Sequence, residues 1–319
     1  MESINNNTVS ETIGLIGLGS AGTAIAKALG RRFRLCVYDR DPSKHESLQR
    51  KVVDCTSITI AESVADVARR CGIILLSLPT PAASLSVVTS LSEALSRETV
   101  IVETSTVGPE DVEALTAICS ARNACVVDSA IVGGVSKLAE GKAVLLVGAK
   151  EDGCLKVRPV LESLAEEIFY LGKPGNGMRT KLVVNSVAHA VMVVLVEAGA
   201  LALAQGIPSA VLYRLLRRES GLLRPLTHRF GERIMKGNFE GGMSTANARK
   251  DSALVLETAR ALGVPLFAIQ AAHSVYEIGA RDGLAALDYA SIARLWEKWL
   301  EVEFAPRAGE SATGAAGNG

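Results

Sequence analysis

Six short apolar runs rich in β-branched residues, at 12–16, 34–38, 73–78, 100–103, 125–128 and 143–147, alternate with helix-like stretches at 21–30, 60–70, 82–95 and 110–120. An apolar run with no polar alternation is a strand covered on both faces. Strands of that kind separated by helices predict a parallel sheet with helices on either side. A helical stretch at 151–167 and a run at 168–171 close the region. After Lys173 the strand signal stops. Only helical periodicity follows, broken at Gly206-Ile-Pro208, Gly221, Gly237-Asn238, Gly241-Gly242 and Gly263-Val-Pro265. These breaks place a domain boundary near 173–175. Residues 11–173 form an α/β domain and 174–305 an all-α domain, while 306–319 is a low-complexity tail expected to be disordered.

The turn after the first run is Gly14-Leu-Ile-Gly17-Leu-Gly19-Ser-Ala-Gly22. Strand, G-x-G-x-x-G and helix in that order have a chemical reason. Gly17 permits a tight turn, Gly19 lets backbone approach a pyrophosphate, and Gly22 lets the helix pack on the strand. A pyrophosphate would lie at the positive helix N-terminus, touching Leu18, Ser20 and Ala21. An acid, Asp39, ends the second run, where it can accept from the ribose hydroxyls and repel a 2′-phosphate. The first domain therefore reads as a Rossmann doubly wound, mostly parallel sheet, with NAD favoured. NADP stays possible because Arg40 follows Asp39 and Lys44 is near, and a guanidinium there could hold a 2′-phosphate.

Composition excludes other classes. The chain has 319 residues, 34 basic and 34 acidic side chains, 48% apolar residues and 4% aromatic residues. That apolar content excludes disorder as the dominant state. Zero net charge and few aromatics argue against a nucleic-acid partner. Residues 1–173 carry an acidic excess of three and 174–319 a basic excess of three. The 214–250 segment holds Arg214, Arg217, Arg218, Arg224, Arg229, Arg233, Lys236, Arg249 and Lys250. Most of these are expected on a solvated helix face, within a field suited to a small anion. Cys36, Cys55, Cys71, Cys119, Cys125 and Cys154 show no C-x-x-C and no metal-ligand spacing with the four histidines. They read as buried reduced thiols of a cytoplasmic protein. The polar start MESINNNTVSET has no apolar stretch and is not expected to act as a signal peptide. The apolar stretch 187–204 is long enough for a membrane span, but Glu197 near its centre makes that costly. A helix buried between domains or subunits is expected instead, with no membrane partner.

Lys181 and Asn185 lie four apart on the helix opened by Gly175-Asn-Gly177, and so share a face. A lysine among apolar residues can act as acid and base, because burial lowers its pKa. A lysine snorkelling to a helix end beside a backbone-capping asparagine is the alternative. His189, one turn on, reads as a core histidine.

Over roughly 11–300 the chain resembles the β-hydroxyacid dehydrogenases, relatives of 6-phosphogluconate dehydrogenase. Gly14–Gly22 looks like their dinucleotide motif, with Ala21 where Met is usual. Leu78-Pro79 resembles the Leu-Pro that lines the cofactor. Glu103-Thr-Ser-Thr106 resembles an Asp-x-Ser-Thr segment, whose hydroxyl, here Thr106, contacts the nicotinamide side. Asp128-Ser-Ala-Ile-Val-Gly133-Gly134, running on to Gly141, resembles the substrate motif. Gly175 to Asn185 resembles G-x-G-x-x-x-K-x-x-N-N, with Lys181 at the catalytic lysine. Lys250-Asp251 resembles a late Lys-Asp whose lysine reaches the cofactor, and Asp288-Tyr-Ala-Ser-Ile292 a closing D-x-S-A motif.

The resemblance implies hydride transfer between a nicotinamide cofactor and the hydroxyl or carbonyl carbon of a small hydroxy acid, without a metal. Lys181 would be the general acid/base. Asn185, Gly133 and Gly134 would hold the substrate, and the chain would form a homodimer or homotetramer. There are two departures. Val132 stands where a carboxylate-holding serine is usual, and Val184 replaces one asparagine of the pair. The acid group would then be held by the Gly133 and Gly134 amides, or by an arginine of 214–250, or the substrate differs from the usual 3-hydroxy acid. An imine reductase of the same architecture is an alternative, although such enzymes usually replace the lysine. A non-catalytic NAD(P)-binding protein is another, although these typically lose it.

Overall fold

The computed structural model describes residues 11–52, 57–218 and 222–305. The 306–319 tail, Cys55 and the break at Gly221 lie outside them. The chain divides into two compact units after Val184.

The first unit is built on one eight-stranded sheet: β1 (Thr12–Ile16), β2 (Arg34–Tyr38), β3 (Ile58–Ile60), β4 (Ile73–Leu76), β5 (Val100–Glu103), β6 (Cys125–Val132), β7 (Ala143–Gly148) and β8 (Ala165–Tyr170). The strand order is 3-2-1-4-5-6-7-8, and every pairing is parallel except β6 with β7. The helices are α1 (Ser20–Leu29), α2 (Pro42–Lys51), α3 (Val64–Arg70), α4 (Pro81–Leu91), α5 (Pro109–Ser120), α6 (Gly134–Glu140) and α7 (Glu151–Leu161). Successive strand residues feed opposite cores. Ile13, Leu15, Leu35, Val37, Ile73 and Leu75 join one cluster; Ile16, Cys36, Ile74 and Leu76 join the other. Two buried faces are why these strands read as unbroken apolar runs.

Several elements differ from the sequence reading. The polar α2 buries only Leu48, so it carries no apolar stripe to betray it. Asp41 caps it, its carboxylate accepting from Ser43 N at 3.0 Å. β3 has only three residues, two of them exposed. The expected strand at 125–128 runs on to Val132, where Ser129 to Val132 pair with Val144 to Val147 of β7. The turn after it begins only at Gly133. Cys36, Cys71 and Cys119 are buried, whereas Cys125 and Cys154 are only half-buried.

The second unit is helical, as the periodicity predicts. The long helix α8 (Asn176–Ala204) enters it and is followed by α9 (Ser209–Leu216), α10 (Thr245–Ala261), α11 (Phe267–Gly279) and α12 (Ala293–Leu300). The breaks at 206–208 and 263–265 separate these helices. The compact units divide ten residues beyond the boundary read at 173–175, because the first turns of α8 are tied to the sheet, as shown below.

α8 is long and apolar enough to cross a membrane by length and composition. Yet Glu197 is buried and accepts from the N–H groups of Phe267, Ala268 and Ile269 at 2.6, 2.8 and 3.3 Å. It caps the N-terminus of α11, which explains a carboxylate in an apolar helix. Within one chain α8 keeps an apolar face exposed, with Val187, Met192 and Val196 59%, 57% and 58% exposed. His189 is exposed as well, not in a core.

Candidate active site

The parallel register sets Ile16, Leu76, Glu103 and Asp128 side by side at the carboxyl edge of the sheet. The strand order reverses between β1 and β4. Open α/β sheets bind ligands in the crevice at such a switch point. A cleft of about 830 Å³ opens there, lined by residues of the β1–α1 turn, the end of β2 and the β4–α4 segment.

The three motif glycines divide the work. Gly17 has φ +97°, and a Cβ there would lie 2.1 Å from Ser77 O. A Cβ on Gly22 would lie 2.0 Å from Gly17 O. Gly19 has an ordinary φ of −63° and open space where its Cβ would be. Gly17 and Gly22 are thus required by the turn itself, and Gly19 leaves room for a ligand. Gly19 is also the N-cap of α1 and gives that helix no side-chain cap. The helix's first amides remain available to an anion. Leu18 is buried and donates its N–H to Asp39 Oδ2 at 2.7 Å. Asp39 Oδ1 accepts from Asp41 N at 2.9 Å, and Asp39 N donates to His45 Nε2 at 3.1 Å. The carboxylate is fixed at the cleft wall, where Gly17, Gly19, Ser20, Ala21, Arg40, Lys44, Leu78 and Pro79 also lie. Leu18 and Gly22 stand behind the turn rather than in the cleft.

The opposite wall is braced from β5. Ser105 Oγ accepts from Leu78 N at 2.8 Å, and Thr104 Oγ1 donates to Leu76 O at 2.6 Å. Thr106, the hydroxyl expected at the cofactor, is exposed and is not among the cleft residues. Ser105, one residue earlier, is the one joined to the 77–80 segment.

Lys181 is placed by a buried carboxylate. Asp128, at the level where β5 ends, is fully buried and accepts from Gly175 N at 2.6 Å and Met178 N at 2.9 Å. It caps α8 from another element, 47 residues away in sequence. The approach is so close that a Cβ on Gly148 would lie 2.4 Å from Asp128 Oδ1, and one on Gly177 2.4 Å from Leu146 O. Arg179 adds a second tie, donating to Glu113 of α5 at 2.7 Å. Burial raises the Asp128 pKa, and the backbone donors pull it back down. Lys181 follows Met178 by less than one turn. It pairs with no acid among the described residues, and burial alone lowers its pKa from the usual 10.5. Asn185, one turn further, is half-buried. Asp128, Ser105 and Gly177 are the residues that the site reading passed over. The signal for Asp128 was there: a polar residue ending an apolar strand, and a G-x-G where backbone must pack tightly.

Val132 is half-buried and packs against the core cluster that holds Ala130 and Leu146. Gly133 and Gly134 follow with φ +106° and +84°, ending the strand and opening α6. In the second unit, Lys250 is exposed and sits 3.1 Å from Asp251. Arg229 and Arg233 are not the solvated residues expected. Both converge on the fully buried Asp288, at 3.2 and 3.5 Å.

Comparison with known proteins adds to this geometry. The NAD-binding domain model of 6-phosphogluconate dehydrogenase matches residues 12–172. The NAD-binding model of NADP-dependent 3-hydroxyisobutyrate dehydrogenase matches 175–296. The chain belongs to the β-hydroxyacid dehydrogenase family. Among curated β-hydroxyacid dehydrogenases, 2-(hydroxymethyl)glutarate dehydrogenase of Eubacterium barkeri is 28% identical over 91% of this chain and 96% of its own. The NAD-dependent L-serine dehydrogenase of Pseudomonas aeruginosa is 25% identical over 89% and 97%. The imine reductase structure from a Pseudomonas species shares the fold, with a TM-score of 0.81 and 20% identity over 90% of this chain and 99% of that one.

Proposed function

We propose that this β-hydroxyacid dehydrogenase transfers a hydride between NAD(H) and a small hydroxy acid or its carbonyl form. The observation that carries the reading is Lys181, half-buried and without an acid partner among the described residues, on a helix capped from the same carboxyl edge that forms the dinucleotide cleft. The cleft fits a dinucleotide through the open space at Gly19, the uncapped amides of α1 and the fixed Asp39 carboxylate. When bound, the nicotinamide supplies or accepts the hydride. Lys181 Nζ takes the substrate hydroxyl proton during oxidation and returns it during reduction. Burial lowers its pKa below the usual 10.5, the direction that favours the neutral amine. Asn185 shares that helix face and is assigned to a substrate oxygen. The Gly133-Gly134 turn is assigned to the acid group in place of the hydroxyl that Val132 lacks.

NAD is favoured over NADP because two backbone amides hold Asp39 and oppose its turning away to admit a 2′-phosphate. Relatives named for acting on a hydroxymethyl acid and on serine support the substrate class. The exposed apolar length of α8 supports a homo-oligomer in which a second copy covers it. The free thiols of the described residues suit a reducing cytoplasm.

The test is a panel of hydroxy acids and their aldehydes, including threonate-like, sulfonated and glycerate-like compounds, run with NADH/NAD and NADPH/NADP. Cyclic imines are included. Lys181→Ala is expected to lower kcat at least about a hundredfold on the best substrate while dinucleotide binding survives. Turnover of imines alone, or near-normal activity of Lys181→Ala, overturns the reading. A strong preference for NADPH overturns the assignment to Asp39.

A further inference from the structure

Glu103 ends β5 fully buried, with none of its surface exposed. Nothing in the proton or hydride chemistry uses it. Its Oε1 accepts from Ser105 N at 2.7 Å. Ser105 Oγ in turn accepts from Leu78 N at 2.8 Å, inside the segment that walls the dinucleotide cleft. Among the described residues the second oxygen, Oε2, is buried with no hydrogen-bond partner, and so is the Ser84 hydroxyl. Ser84 belongs to α4, the helix that begins as the 77–80 segment ends, and it lies close enough to lower the carboxyl's pKa. Glu103 therefore reaches the cleft wall through Ser105 at Leu78.

A buried carboxyl with an unpaired oxygen is costly to keep and calls for a compensating role. We propose that Glu103 is a positioning residue that sets the 77–80 wall for the nicotinamide-bearing half of the dinucleotide. The polarity follows from the sheet order. Asp39 at the end of β2 takes the adenosine ribose, Gly17 to Gly19 take the pyrophosphate, and the remaining half extends past β1 towards β4 and β5. Glu103 stands at that far end, at the carboxyl end of β5. The proposal rests on the reading of the cleft as a dinucleotide site.

The test separates the two halves of the ligand. NADH and ADP-ribose, which lacks the nicotinamide, are titrated by calorimetry into wild type, Glu103→Ala and Glu103→Gln. Glu103→Ala is expected to weaken NADH about tenfold and leave ADP-ribose within about twofold. Glu103→Gln keeps the oxygen that receives Ser105 N and is expected to restore most NADH affinity. Equal weakening of both ligands means a general loss of structure and overturns the proposal, as does unchanged NADH affinity in Glu103→Ala. A wild-type chain that binds neither ligand overturns the cleft reading and the proposal with it. Normal wild-type binding with no effect of either substitution overturns the proposal alone. If Glu103→Ala does not fold, the Glu103→Gln and Ser105→Ala chains decide. Ser105→Ala is then expected to show the NADH-specific loss, and its absence overturns the proposal.

Discussion

Replacing Asp128 by Ala tests whether the position of Lys181 is set by the sheet. The substitution removes the acceptor for Gly175 N and Met178 N, both in a buried setting. Each orphaned buried N–H costs about 1–3 kcal/mol, so two cost about 2–6 kcal/mol. Against this, the variant no longer buries a carboxyl, whose upward-shifted pKa shows that its ionised form is strained there. A net loss of about 3 kcal/mol follows, or a fall in Tm of about 4–5 °C for 319 residues. Freed from its cap, the first turn of α8 frays and Lys181 shifts with it. A displacement near 1 Å costs about a hundredfold in kcat. Asp128→Asn keeps one acceptor but turns an NH2 towards the second amide, so its Tm is expected between wild type and Ala. Gly177→Ala approaches the same lock from outside, since its Cβ would sit 2.4 Å from Leu146 O and 2.8 Å from Asp128 Oδ2. Calorimetric melting and steady-state kinetics read both effects. An Asp128→Ala chain that melts within about a degree of wild type and keeps its kcat refutes the lock, because no orphaned amide could then be present.

Three further outcomes are expected. The oxidation rate should rise with pH and level off above an inflection lying below 10.5, because oxidation needs neutral Lys181 and burial lowers its pKa; reduction should fall through the same inflection, and a flat pH profile would count against the lysine. Burial raises the Glu103 pKa from 4.5 to about 6, with Asp111 adding to the shift and Ser84 and Ser105 opposing it. A raised carboxyl favours the folded state most below pH 4.5 and loses that advantage as pH passes 6. Wild type should therefore lose about 2 kcal/mol relative to Glu103→Gln between pH 4 and 7, measured by urea unfolding, and parallel curves would remove the buried-acid argument. Light scattering at micromolar concentration should give at least a dimer, and a double change of Val187 and Met192 to Glu should yield monomer; a monomeric wild type contradicts the covered α8 face.

The bounds of β1, β2 and β5 were legible because each strand is apolar on both faces and ends at a turn signal or a charge. β3 and α2 were not, since a three-residue edge strand and a helix burying only Leu48 leave almost no hydrophobic pattern. The extension of β6 was hidden by Asp128 and Ser129, two buried polar residues that imitate the end of a strand. The strand–glycine turn–helix order and the place of Asp39 at the end of β2 were legible from motif spacing, and Lys181 from its place in the apolar opening of α8, although the cap that places it was not. Asp128 left a local sign, a polar residue ending an apolar run, but its partners begin 47 residues later, and a cap from another element leaves no periodic trace. Arg229 and Arg233 were misplaced for the same reason: their partner, Asp288, is more than fifty residues away.

The unequal status of the three turn glycines bears on how such a chain can diverge. Gly17 and Gly22 are fixed by atoms of the protein itself, so they must persist for as long as the turn does, whether or not anything binds. Gly19 has a permissive φ and meets no protein atom, so only a bound molecule forbids it a side chain. A descendant that abandoned its ligand would be free to change position 19 first, while its neighbours still spelled most of the motif. Position 19 is therefore the informative letter: a side chain there would fill the space left open for a ligand while the turn itself stood unchanged.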